Sequence, residues 1–348
     1  MATFSLCMIV KNESAVLRRC LDSVADLMDE IIIVDTGSTD DTKTIAAGYT
    51  DRIFDFEWIG DFSAARNFAF SKASCDYIYS ADADEVLDEE ARRQFRLLKE
   101  AIDPAIEMVQ MKYHEPGGSS VLNARMEYRP KLFKRLRTFT WINPVHETVR
   151  TDPVVYDSDI VITHLPASLH SNRDFGIFEK AVSEGNFSET FISMYVRELF
   201  KCGEATDIHR ACGLIREALP HRHVSDDLLL DILCLFVRDA RLQGDMGEFV
   251  SCLTQFPAAE GCSEIQYEIG LYLMEMAMYE DAVFHFEAAT IADSRIDIHT
   301  AGDLPLSAII EALEACLDSG SLEDTAPAIR EQINKYREAL TNWSLPEE

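Results

Sequence analysis

The sequence has few basic residues for its acidity: 32 lysines and arginines stand against 61 aspartates and glutamates, a formal net charge of −29. A surface with that charge repels nucleic acid and anionic membranes, which excludes both as general partners. A ligand that carries phosphate must therefore bind at a local site, formed by a metal ion, a few basic side chains or a helix N-terminus.

Paired cysteines and long apolar runs are also absent. None of the nine cysteines belongs to a CxxC pair, their number is odd, and several fall in apolar periodic stretches. We therefore expect buried free thiols in a reducing compartment. Met1–Val10 carries no basic segment and is too short for a signal peptide or a membrane span. These absences predict a cytosolic protein that does not span a membrane.

The first part of the chain alternates short apolar runs with helical patterns. "EIIIVD" is typical of a fully buried strand, and "AVLRRCLDSV" before it is typical of an amphipathic helix. This alternation predicts an α/β domain with a mostly parallel sheet. From about Arg173 onward only the helical period of 3.6 remains. We therefore expect an α/β domain over residues 1–170 and an all-α domain over residues 171–348.

Polar side chains follow three of the predicted strands, and parallel strands place their carboxyl ends at one edge of the sheet, where ligands bind. These residues are Lys11, Asn12 and Glu13 after the first strand, Asp35 after the second, and Asp82 and Asp84 after the fourth. Asp82 and Asp84 are two residues apart, so on a strand they point the same way. Two such carboxylates suit Mg²⁺ or Mn²⁺, especially beside a diphosphate. The alternative is an acidic turn that caps the next helix.

A helical hairpin stands out in the second part, Ser263 to Ser294. Gly270, Ala282, Phe286 and Ala289 occupy the small and large positions of a tetratricopeptide repeat. A single repeat cannot bury its apolar face, so neighbouring helices must stack on it.

Four motifs resemble the family 2 glycosyltransferases: "CMIVKNE", "DEIIIVDTGSTDDT", "DFSAARNFAF" and "YSADADE", within roughly Ser5 to His164. The resemblance implies the GT-A fold. The branch that joins such a domain to tetratricopeptide-like helices includes bacterial enzymes that glycosylate cysteine or serine of bacteriocin peptides. It implies a UDP-sugar donor, a peptide, protein or glycan acceptor, and Mn²⁺ or Mg²⁺ as cofactor.

The resemblance also implies roles for single residues on the donor side. Asp35 would accept the imide N–H of uracil, although Thr36 stands where many relatives have a second aspartate. Arg66 and Asn67, in a helix that we expect Ser63 to cap, would lie near the diphosphate. Lys11, Glu13 and Asp82 are also expected to bind the nucleotide sugar. The alternatives are a plain turn at Asp35 and a surface arginine paired with one of many acids.

Asp82 and Asp84 match the family's Asp-X-Asp metal motif, and His164, after the last predicted strand, would complete the metal shell. An imidazole suits Mn²⁺ better than Mg²⁺; a structural histidine is the alternative. We expect Glu85 and Asp88 to be charges at the start of a helix rather than ligands.

His146 and Glu147, in "TWINPVHETVR", match a His-Glu pair on the acceptor side. Glu147 would be the general base of an inverting transfer, and the alternative is that both residues are structural. The C-terminal helices would hold the acceptor or form a homodimer contact. Two rival functions stay open. A sugar-phosphate nucleotidyltransferase usually has a glycine-rich loop with arginine where this chain has "KNES", and a tetratricopeptide scaffold would carry an inactive front domain.

Overall fold

The computed structural model describes residues 1–114, 126–136, 141–142, 148–149, 153–165, 171–185, 187–221, 223–255, 262–318 and 326–345. The described residues form two compact units, Met1–Phe178 and Glu179–Leu345. The domain boundary expected between residues 170 and 171 stays a prediction.

The first unit is built on a sheet whose strands alternate with helices. The described strands are β1 (Phe4–Val10), β2 (Glu30–Asp35), β3 (Ile53–Asp55), β4 (Tyr77–Ser80), β5 (Glu85–Val86), β6 (Met108–His114), β7 (Met126–Lys134), β8 (Trp141–Ile142), β9 (Thr148–Val149) and β10 (Val155–His164). Eight of them form one sheet in the order β3-β2-β1-β4-β7-β6-β10-β5, while β8 and β9 pair with each other.

Parallel pairing dominates the part of the sheet that the sequence predicted. β1 pairs in parallel with β2 and β4, β2 pairs in parallel with β3, and β10 pairs in parallel with β6. β7 runs antiparallel between β4 and β6, and β5 is an antiparallel edge strand beside β10. The expected α/β class is confirmed, with a mixed region that the strand–helix alternation did not reveal.

Helices flank this sheet and make up the described secondary structure after it, apart from short 3₁₀ turns and one isolated bridge. The described α-helices are α1 (Leu17–Val24), α2 (Thr42–Ala46), α3 (Phe62–Lys72), α4 (Glu89–Ala101), α5 (Ser171–Ser183), α6 (Glu189–Cys202), α7 (Ala205–Ala218), α8 (Asp226–Gln243), α9 (Met246–Gln255), α10 (Ser263–Glu275), α11 (Tyr279–Ile291), α12 (Asp303–Asp318) and α13 (Ala326–Asn342). The expected helical second part is therefore confirmed. Among these described helices, none is long and apolar enough to cross a membrane.

Apolar periodicity explains the core of the first unit. Strand β2 buries Ile32, Ile33 and Val34 completely because both of its faces are covered, and α1 packs Leu17 and Leu21 into the same unit. The expectation of free thiols is confirmed: all nine cysteines are unpaired, and seven of them are buried.

The predicted helical hairpin of the second unit is present as α10 and α11. Ala282, Phe286 and Ala289 of α11 are fully buried. A Cβ placed on Gly270 of α10 would lie only 2.4 Å from the Phe286 ring. The small residue therefore lets the two helices approach closely, as a tetratricopeptide-like pair requires.

Candidate active site

One edge of the sheet collects the ends of its central strands. β1, β2 and β4 end there because they are parallel, and β6 and β10 end there because β7, between β4 and β6, runs the opposite way. Strand β7 therefore begins at this edge. We call it the carboxyl edge, and the donor-side residues chosen from the sequence lie along it, apart from Arg66 and Asn67, which α3 supplies.

The loop after β1 is joined to the loop after β2 by short hydrogen bonds. The Asn12 amide N–H donates to Ser38 Oγ at 2.9 Å, and Asn12 Oδ1 accepts from the Thr39 amide at 2.8 Å. The Glu13 amide donates to Thr42 Oγ1 at 2.8 Å. Asn12 has φ of +58°, a conformation that asparagine tolerates better than most residues. These contacts fix two of the predicted ligand-binding loops relative to each other.

Asp35 ends β2 and is buried. Its Oδ1 accepts hydrogen bonds from the Gly37 amide at 3.0 Å and the Ser38 amide at 2.9 Å, so this oxygen holds the turn. Its Oδ2 is buried and has no hydrogen-bond partner among the described residues. Lys43 Nζ lies 3.7 Å from Asp35 Oδ1, and the Lys43 side chain is nearly half exposed. Lys11, in the loop after β1, is half-buried. A buried acceptor without a donor costs free energy, which a ligand N–H can recover.

Asp82 lies in the loop after β4 and contacts two basic side chains. Arg66 Nη2 donates to Asp82 Oδ1 at 2.8 Å, and Arg66 Nη1 donates to Ser80 Oγ at 3.2 Å. Lys131 Nζ lies 3.8 Å from Asp82 Oδ2. Burial alone would raise the pKa of the Asp82 carboxyl, but Arg66 and Lys131 lower it, and the net pKa is well below its ordinary value.

Helix α3 presents Arg66 to this loop. The helix is capped by Asp61, whose Oδ1 accepts from the Ala64 amide at 3.0 Å, so the expectation that Ser63 caps it was wrong. Ser63 is instead a buried residue inside the helix. Asn67, next to Arg66 in the same helix, is half-buried.

Asp84 meets His164 across the neighbouring strands. Asp84 Oδ2 lies 3.0 Å from His164 Nε2, and both side chains are mostly buried. Strand β5, which begins directly after Asp84, pairs with the end of β10 and brings His164 opposite Glu85. The sequence placed Asp82 and Asp84 just after the fourth strand, which is confirmed, and expected their side chains to point the same way, which was wrong. β4 ends at Ser80, so the period of two does not apply and the two carboxylates take different partners.

Asp84 and His164 offer the ligand types that a divalent metal ion takes, a carboxylate oxygen and an imidazole nitrogen. Their 3.0 Å separation is that of a hydrogen bond, so the two groups are already side by side where an ion would need both. Among the described residues, Asp82 is held by its ion pair with Arg66, and Asp84 is held by its contact with His164.

The two acidic residues that follow the motif behave differently from each other. Asp88 caps α4, accepting from the Ala91 amide at 2.8 Å, as expected. Glu85 was expected at a helix start, and this was wrong: it is a buried residue of β5 that forms an ion pair with Lys131. Glu85 is almost completely removed from water, so its carboxylate needs a partner of opposite charge, which Lys131 supplies.

Lys131 was missed at the level of sequence, together with two charged neighbours on β7. Glu127, Arg129 and Lys131 alternate with other residues in "MEYRPKLFK" and so share one face of the strand. Arg129 forms an ion pair with Glu127, and its guanidinium carbon lies 3.8 Å from the ring centre of Tyr113. The alternation of these charged residues within a strand pattern could have identified all three as site candidates from the sequence.

The two acceptor-side candidates, His146 and Glu147, lie outside the described residues.

Comparison with known proteins links this geometry to a family. Residues 5–152 match the model of glycosyl transferase family 2. A TPR repeat-containing protein of Synechococcus elongatus is 38% identical over 43% of this chain and 36% of its own length. The glycosyltransferase SunS, derived from the SPbeta prophage of Bacillus subtilis, is 30% identical over 76% of this chain and 65% of its own length. The chain thus spans between about a third and two thirds of these two relatives.

Among solved structures, TarS from S. aureus is similar over 72% of this chain and 88% of its own, with 13% identity and a TM-score of 0.40.

Proposed function

We propose that residues 5–152, which match the glycosyl transferase family 2 model, transfer a sugar from a UDP-sugar to a peptide, protein or glycan acceptor. The observation that carries this proposal is the arrangement of Asp35, Asp82, Asp84 and His164 along one edge of the sheet, with Arg66 of α3 bound to Asp82.

The position of Asp35 supports uracil as the nucleobase of the donor. Uracil carries an imide N–H, and the buried Oδ2 of Asp35 is a carboxylate oxygen without a donor among the described residues. Because Oδ1 is already held by the Gly37 and Ser38 amides, the carboxylate has a fixed orientation. Lys43 has an exposed stem, so it can move aside and admit the base.

Charge at the middle of the edge supports diphosphate binding. Asp84 and His164 are the residues that would hold a Mn²⁺ or Mg²⁺ ion, and Mn²⁺ suits the imidazole better. A bound ion of this kind stabilises negative charge on a leaving diphosphate. Arg66, fixed by Asp82 and Ser80, adds a positive charge at the same place. A chain with a net charge of −29 needs such local positive charge to retain a diphosphate.

Our proposal for the acceptor-side residues is based on the resemblance to the family. In an inverting transfer a carboxylate takes the proton of the attacking hydroxyl or thiol, and Glu147, beside His146, is our candidate. The helices of the second unit are our candidate for acceptor binding or a homodimer contact. The pairing of α10 with α11 supports a tetratricopeptide-like surface there.

The donor can be tested by comparing UDP with CDP in thermal denaturation with Mn²⁺. Cytosine has a ring acceptor where uracil has its imide N–H, so the two ligands differ at the atom that would meet Asp35. We expect UDP to raise the melting temperature and CDP to raise it far less. An inactive scaffold would show no shift with either nucleotide, and equal shifts would contradict the role of Asp35.

Asp35→Asn should remove the preference for UDP. The amide keeps Oδ1 for the Gly37 and Ser38 amides, so the turn survives, but the side chain loses its charge. Hydrogen bonds to charged groups contribute about 1.5–3 kcal/mol, so we expect UDP affinity to fall about 10- to 100-fold. Titration calorimetry of both nucleotides checks this: CDP affinity should not fall, because the asparagine amide nitrogen takes the place of Oδ2 and can donate to the ring acceptor of cytosine. A variant that still prefers UDP would show that Asp35 serves only the turn.

A further inference from the structure

Three buried carboxylates at the carboxyl edge each keep one oxygen without a hydrogen-bond partner among the described residues. These oxygens are Asp35 Oδ2, Glu85 Oε2 and Glu127 Oε2. Buried acceptors are normally paired, so a cluster of exceptions at a candidate site indicates a ligand that supplies donors. Asp35 is accounted for by a base N–H. Glu85 and Glu127 each form an ion pair through their other oxygen, but Lys131, the partner of Glu85, is itself buried, whereas Arg129, the partner of Glu127, is 38% exposed. Glu127 is therefore the carboxylate that a ligand can reach.

Glu127 has a fixed position. It is 6% exposed, and Arg129 holds its Oε1 in an ion pair. It lies opposite Tyr113 in the pairing of β7 with β6, so the two side chains share a face of the sheet. The Tyr113 ring lies 5.4 Å from the His164 ring, and His164 contacts Asp84. Glu127 is therefore linked through Arg129, Tyr113 and His164 to the proposed metal ligands.

The order of these groups along the edge matches the order of parts in a nucleotide sugar. Asp35 is on β2, Asp82 and Asp84 follow β4, and Glu127 is on β7, in a sheet whose central strands run β2-β1-β4-β7. Three strand spacings separate β2 from β7, a distance of about 14 Å. A base at β2 and a diphosphate at β4 place the sugar next along the edge, at β7.

We propose that Glu127 binds a hydroxyl group of the donor sugar and thereby selects the sugar; this inference rests on the proposed function. A sugar hydroxyl is an O–H donor, and Glu127 Oε2 is an acceptor with no donor in the part of the chain that the structure describes. The ion pair of Oε1 with Arg129 orients the carboxylate, and its second oxygen can accept a hydrogen bond from the sugar. The Arg129 side chain is partly exposed, so this ion pair is accessible to a ligand.

The test compares nucleotide with nucleotide sugar in Glu127→Gln. The probes are UDP, UDP-glucose and UDP-N-acetylglucosamine, titrated with Mn²⁺ into the full-length chain. Since UDP lacks the sugar, its Kd should not change. The ratio of the UDP-sugar Kd to the UDP Kd should rise at least 10-fold for the sugar that the protein uses. Glu100→Gln, an exposed glutamate of α4 in the same unit, is the matched control and should leave the ratio unchanged.

Other outcomes separate the alternatives. An unchanged ratio in Glu127→Gln would overturn the proposal. Loss of UDP binding and of the melting transition in both Glu127→Gln and Glu127→Asp would assign Glu127 a purely structural role, which also overturns it. A folded Glu127→Asp variant keeps the charge and should show a smaller rise in the ratio. If the wild-type chain binds no UDP at all, the proposed function itself fails, and this is visible before any variant is made.

Discussion

Replacing Asp84 with alanine is expected to reduce sugar transfer at least 100-fold while the protein stays folded. Asp84 contacts His164 at 3.0 Å and lies in a loop, not in the core of the sheet. Losing that contact should cost about 1 kcal/mol of folding free energy, typical of a single hydrogen bond. Removal of one of two residues that would hold the metal affects charge stabilisation of the leaving group, which commonly contributes two to three orders of magnitude in rate.

Turnover with a UDP-sugar and the melting temperature should be measured together on Asp84→Ala and Asp84→Asn. The asparagine variant keeps the shape but loses the charge, so it should be nearly as inactive as alanine. Glu89→Ala is the control, because Glu89 is five residues away and its side chain is 90% exposed. Normal turnover of Asp84→Ala would show that the loop is only an acidic turn, and unfolding would show that Asp84 is structural.

The second large effect is expected in the helical unit: Gly270→Ala should destabilise it by about 1–3 kcal/mol. The new methyl group would lie 2.4 Å, 2.6 Å and 2.9 Å from three carbons of the Phe286 ring, far inside van der Waals contact. Phe286 is fully buried and cannot swing out, so α10 and α11 must separate. Overpacking in a filled core typically has this cost. Urea denaturation followed by circular dichroism measures it.

Gly213→Ala is the matched control because it has the opposite expected sign. Gly213 lies inside α7 and is exposed, and a Cβ there meets nothing within 4 Å. Alanine favours a helix interior over glycine by about 0.5–1 kcal/mol, so this variant should be slightly more stable. Phe286→Leu, combined with Gly270→Ala, should recover part of the loss by making room. Equal effects at both glycines would contradict close packing of α10 on α11.

Strongly periodic segments explain why much of the fold could be predicted from the sequence. The run "EIIIVD" is buried on both faces and forms β2, and the spacing of Ala282, Phe286 and Ala289 places them on the buried face of α11. In such segments the burial of apolar side chains determines the structure, and the spacing of apolar residues along the chain predicts which of them are buried. Asp35, Asp82 and Asp84 follow strands, so their common edge could also be expected.

The rest depends on contacts between residues far apart in the chain. The burial of Glu85 follows from the pairing of β5 with β10, and its partner Lys131 is 46 residues away. Whether Ser63 or Asp61 caps α3 depends on where the chain turns after β3, which is a matter of one or two residues. The antiparallel β7 carries Glu127 and Arg129 to the site, and its charged alternation resembles that of a surface strand. Local patterns do not encode these partners.

The central claim is that a divalent cation and UDP bind together at the carboxyl edge. Its most direct test is titration calorimetry of the wild-type chain with UDP, first in Mn²⁺ and then in EDTA. The acidic surface and the Asp84–His164 pair predict binding in Mn²⁺ and a loss of at least 10-fold in affinity in EDTA. Equal affinity in EDTA, or no heat of binding in Mn²⁺, would contradict it.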